Sequence, residues 1–108
     1  MGVIQIGDTV ALRNKAGEPL GELTVEVCRY GAWCGKFAPA PGYDCVRALF
    51  VEWTKLVDDQ CFSLADAIND KISRIGISAF RNNEPLHVTD VQIYDEGDQI
   101  SGCFREVA

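Results

Sequence analysis

Apolar positions recur at helical spacing in the middle of this chain and at strand spacing on either side of it. Residues 45–59 carry Val46, Leu49, Phe50, Trp53, Leu56 and Val57, one face of a 3.6-residue repeat. Residues 63–75 repeat the signal with Leu64, Ile68, Ile72 and Ile75. Only residues 58–62 lie between, so the spacing predicts an antiparallel helix pair with both apolar stripes turned to a sheet. Asp44 reads as the cap of the first helix, and Ser63 with Asp66 three residues on reads as a capping box for the second. Gly76 suits the left-handed position that ends a helix.

The flanks alternate with period two. Ile4, Ile6, Val10 and Leu12 share one parity, with Gly7-Asp8 as a bend or bulge between them. Leu23, Val25 and Val27 alternate against Glu22, Thr24 and Glu26, predicting a half-buried strand with an acidic outer face. Residues 32–37 offer a third strand with Trp33, Gly35 and Phe37 on one side, and the prolines of residues 38–42 end it. Beyond Gly76, Leu86 and Val88 have one parity and Val91 and Ile93 the other. One extra residue at Thr89-Asp90, a bulge, brings all four to the same side. Residues 95–99 read as a turn before a closing strand. The pattern predicts an α+β fold: an antiparallel sheet of five or six strands in the order β-β-β-α-α-β-β, two helices packed on one face, and an N-terminal hairpin able to curl into a partial barrel.

At 108 residues the chain is expected to form a single domain over residues 1–108. Hydrophobic residues make up 47% of it, more than disorder requires and enough to make a dimer the expected state. Ten basic and 16 acidic residues give a formal charge of −6, and the basic residues are scattered singly. A nucleic-acid surface needs a basic stripe to displace counterions, so neither nucleic acid nor an anionic membrane is an expected partner. A basic protein is favoured electrostatically. The first residues lack the pattern of a signal peptide and no run approaches a membrane span, so a cytoplasmic location is expected. Five cysteines without a C-x-x-C pair are then expected to be reduced, most of them as small core hydrophobes.

Chemistry-bearing residues are sparse. His87 is the one imidazole and is the weak candidate for catalysis, as the base it would have to provide for a cysteine nucleophile, yet its parity points it to solvent. Cys28 and Cys34 are six residues apart across a turn, unlike the close ligand pairs of a structural zinc site, so no metal is expected. Asp66 and Asp70 share a helix face but nothing places either in a dry pocket. Glycine-rich phosphate fingerprints are absent, and no cofactor is expected. The strongest binding signal is Tyr30, Trp33, Phe37 and Tyr43, large rings on a backbone rich in glycine and proline.

In size, acidity and α+β pattern the whole chain resembles the small uncharacterised bacterial proteins carried on mobile gene cassettes, a resemblance that implies no common activity. The residues themselves point to a small acidic binding or accessory protein that recognises a protein or small ligand. An immunity or inhibitor protein against a basic partner is one form of it. The rival reading is a small enzyme with a cleft between sheet and helices.

Overall fold

A computed structural model describes residues 4–107. The fold is α+β, with two helices and one antiparallel sheet. The strands are β1 (Thr9–Arg13), β2 (Pro19–Arg29), β3 (Ala32–Pro39), β4 (Ser78–Arg81), β5 (Glu84–Leu86), β6 (Val88–Asp95) and β7 (Ile100–Glu106). A short 3₁₀ turn, Pro41–Cys45, leads into α1 (Arg47–Asp58), which is followed by α2 (Phe62–Ser73). The sheet therefore has seven strands rather than five or six, and two pairs of strands, not one, follow the helices. They run in the spatial order β5-β4-β1-β2-β3-β7-β6. The outermost strands, β5 and β6, are separated in sequence by His87 alone. The sheet must curl until its two edges meet at that residue.

The core fills the inside of the curl. Val10, Leu12, Leu20, Leu23, Val25, Ile93 and Phe104 project into it from the strands, each at most 1% exposed. Alternation on β2 follows the sequence pattern, with Glu22, Thr24 and Glu26 outside. The bulge expected in β6 is present: Thr89 faces Arg105 and Gln92 faces Cys103, so two residues on β6 oppose Phe104 alone. Asp90 takes a positive φ of 53° there, and Val88, Val91 and Ile93 all pack on the core. At a second irregularity, around Glu26, the partner has to be glycine. A Cβ on Gly35 would run into the Thr24 carbonyl.

Both helices turn their apolar stripes into this cluster. Phe50 and Trp53 of α1 and Ala65, Ile68 and Ile72 of α2 are buried. α1 lies against β6, with Trp53 and Tyr94 ring centroids 5.0 Å apart, and α2 packs on α1. Between the helices Gln60 adopts φ 59°, its N–H bonds the Val57 carbonyl, and the Cys61 N–H bonds the Leu56 carbonyl. This is a Schellman ending with glutamine where glycine is usual.

Several local expectations are corrected. α2 starts at Phe62, with Cys61 at its cap and no side-chain cap bond, so Ser63 is inside the helix and Leu64 is 60% exposed. Ala65 takes the place of Leu64 in the buried stripe. Asp44 caps nothing, because Pro41, with its fixed φ, starts a tight turn earlier and Val46 leads into α1. Ile6 leaves the parity of Ile4: Gly7 has φ 97° and the Asp8 N–H bonds the Gln5 carbonyl, a turn that swings Ile6 outward. The cysteines are not core hydrophobes. Cys34 and Cys103 are joined across β3 and β7, while Cys28, Cys45 and Cys61 are free and exposed.

Candidate binding site

The site is built outward from a buried carboxylate. Val91, Ile93 and Asp95 alternate along β6, so Asp95 points into the same interior as Ile93, and its side chain is fully buried. Such a charge persists only when paired and hydrogen-bonded. The Tyr43 hydroxyl donates to Oδ2 at 2.8 Å, and the Arg47 Nε lies 3.1 Å from the same oxygen. Oδ1 accepts the Gly97 N–H at 2.9 Å. The Asp95 N–H donates to Thr54 Oγ1 at 3.0 Å, and that hydroxyl donates to the Phe50 carbonyl at 2.7 Å. Arg47 also donates to the Gly97 carbonyl at 3.1 Å. Burial first, then the hydrogen bond to Asp95 and its charge, push the Tyr43 hydroxyl far above its ordinary pKa, so the phenol remains a donor. The network locks the β6–β7 turn to α1.

Tyr43 also carries an aromatic column. Phe37 meets it edge-on at 5.3 Å between centroids, and Phe50 stacks on its other side at 5.7 Å. Phe37 is also among the residues lining a depression of about 510 Å³, together with Glu26, Lys36, Glu96, Asp98 and Ile100. A second depression, about 390 Å³, lies beyond Glu96 and is lined by Val51, Lys55, Asp58 and Asp59. Glu96 belongs to both. Together they gather five exposed carboxylates against the ammonium groups of Lys36 and Lys55.

The four aromatic residues singled out in the sequence do not form one surface. Tyr43 is fully buried and positions the turn, and Phe37, 5% exposed, contributes to the lining of the first depression. Trp33 is half-buried, paired between Cys28 and Phe104, about 13 Å further along β3 at strand rise. Tyr30 is 96% exposed at the tip of the β2–β3 hairpin, where Tyr30 and Gly31 have φ of 51° and 80°. Those are the signs of a two-residue hairpin turn that normally selects asparagine and glycine. His87 is exposed at the β5–β6 corner, and its carbonyl accepts the Val107 N–H. A third hollow, about 300 Å³ between α2 and β6, is lined by Asn69, Ile72, Ser73, Val88 and Asp90 among others, and neither His87 nor a cysteine is in its lining.

Asp95, Arg47 and Thr54 were not legible as a unit. The inward parity of Asp95 with Ile93 was the available signal, and the acidic run around it reads first as a turn. Among the described residues no group of three or more histidine, cysteine, aspartate or glutamate side chains is placed to hold a metal ion. No described helix is long and apolar enough to cross a membrane.

Fold and site of the described residues define an α+β arrangement with a curled seven-stranded sheet and an acidic hollow at one turn. Comparison with protein-family models, with curated proteins and with solved structures finds no match in any of the three.

Proposed function

We propose that this chain is a small acidic binding protein whose partner is a basic protein segment, engaged at the β6–β7 turn. The observation that carries this reading is the depression lined by Glu26, Glu96 and Asp98, which shares Glu96 with the hollow on the Asp58–Asp59 side. A lysine or arginine side chain has an apolar stem and a cationic head, and this hollow sets the carboxylates of Glu26, Glu96 and Asp98 beside the apolar residues Phe37 and Ile100. The buried Asp95 network holds the turn in place before any partner arrives, which lowers the ordering cost of binding. The −6 charge of the whole chain draws a positive partner from a distance. An inhibitor or immunity protein against a basic partner is one such role. Catalysis in a cleft between sheet and helices is less favoured, because the α2–β6 hollow is lined by neither His87 nor a cysteine.

The test is titration of a fluorescent lysine- and arginine-rich peptide. Binding is expected to weaken steadily as ionic strength rises from about 0.05 to 0.5 M, where the screening length shrinks to a few ångströms. Replacing Glu96 and Asp98 by Gln and Asn should weaken it further, by about 1.5- to 5-fold for each charge, the range of exposed ion pairs. Salt-insensitive binding, or an unchanged affinity in the double variant, would sink the reading.

A further inference from the structure

Cys34 and Cys103 are directly opposed residues in the β3–β7 ladder, flanked by the Trp33–Phe104 and Gly35–Gly102 pairs. Their Cα atoms are 4.1 Å apart, and the ladder that sets this spacing runs from Ala32–Arg105 to Lys36–Ser101. Each strand is also held on its far side, β3 by β2 and β7 by β6. The two sulfurs are neighbours because of backbone pairing, and the covalent bond adds little to their positioning. Both residues are half-buried rather than sealed in the core, on the face of the sheet opposite the Gly35–Gly102 pair.

We propose that Cys34 and Cys103 form a reversible thiol–disulfide couple that exchanges with dithiols while the domain stays folded. In the reducing direction a dithiol thiolate attacks one sulfur of the pair. The Cys34–Cys103 bond breaks, a mixed disulfide forms and one cysteine leaves as thiolate. The second thiol of the reductant then displaces the other cysteine. Two electrons and two protons pass to the protein, and the reductant departs as its disulfide. Oxidation by a small-molecule disulfide reverses the sequence. This couple does not depend on the peptide-binding reading, but its effect reaches that site. Lys36 and Ser101, the next pair on the same face of the sheet, line the Phe37 depression.

The experiment is differential alkylation of the folded wild-type protein followed by peptide mass spectrometry. Cys28, Cys45 and Cys61 serve as internal free-thiol controls. After oxidised glutathione, Cys34 and Cys103 should escape alkylation and carry no glutathione adduct, while each of the three controls is either alkylated or found as its glutathione mixed disulfide. After dithiothreitol all five should react, and removal of reductant with fresh oxidised glutathione should restore protection of the pair with no glutathione mass on either cysteine. Amide spectra are recorded in parallel. They should remain dispersed in both states, with the largest shifts in β3 and β7, including Lys36 and Ser101. Alkylation of the pair in oxidising buffer, failure to re-form it, or collapse of the spectrum on reduction would overturn the proposal. The last outcome would make the bond a structural staple. A Cys34→Ser, Cys103→Ser variant should give the reduced-state spectrum, and the reduced wild type decides the matter if that variant does not fold.

Discussion

Tyr43 illustrates how much one side chain does here. Its ring links Phe37 to Phe50, and its hydroxyl is one of the donors bonded to the buried Asp95 carboxylate. Tyr43→Phe keeps the ring but leaves a buried charge short of a partner, so it should destabilise the fold by about 1–3 kcal/mol in urea unfolding at neutral pH. The folded pKa of Tyr43 is raised, so its stabilising effect is complete below the unfolded value of about 10 and is lost as pH climbs toward the folded one. Stability should therefore fall on the alkaline side above about pH 10. Burial raises Tyr94 in the same direction, so Tyr43→Phe should shallow the decline without abolishing it. An alkaline limb of equal slope in wild type and variant would show that the phenol is not the group responsible.

Among the elements, the helix ends show where local rules yield to their surroundings. Gln60 occupies the left-handed position that closes α1, where a side chain with a Cβ is disfavoured. Gln60→Gly should raise stability by about 0.5–1 kcal/mol, read as a higher urea midpoint with unchanged slope. A loss of stability would mean that the glutamine side chain contributes something the backbone geometry does not reveal. Tyr30 occupies the same left-handed region at the tip of the β2–β3 hairpin. A bulky ring at φ 51°, almost wholly in water, gains nothing from packing. The second helix start was misplaced for a physical reason. Ser63–Asp66 satisfies the capping pattern, but the helix begins at Phe62, in the register that buries Ala65 and Ile68 and leaves Leu64 exposed.

For the molecule as a whole, the curl of the sheet decides which distant residues become neighbours. The N-terminal turn is tied to β4 by Arg81 and Asp8, 2.8 Å apart. A backbone bond from Gln5, then the Arg81 guanidinium, hold the Asp8 carboxyl below the usual carboxylate range. A lowered folded pKa means that this stabilisation is present above the unfolded value, about 3.9, and is lost as pH falls through the folded one. Asp8→Asn should therefore flatten part of the acid limb of a thermal-stability profile below about pH 5 and leave the alkaline limb alone. An acid limb identical to that of wild type would remove Asp8 from the account. The acidic hollow also belongs to this scale. Its walls come from the β2 bulge, from β3 and from the β6–β7 turn, which lie far apart in sequence.

Periodicity by itself determined the α+β class, both helices, the half-buried β2 and the bulge that keeps Val88, Val91 and Ile93 inward. Each depends on residues within one turn or one strand, where side-chain direction follows from spacing. Tertiary structure alone decided the seventh strand, the pairing of Cys34 with Cys103 across 69 residues, and the burial of Asp95 beneath Tyr43 and Arg47. These depend on how strands are ordered and how far the sheet curls. Hydrophobic patterning says which face of an element is inward, but not which other element it will meet there.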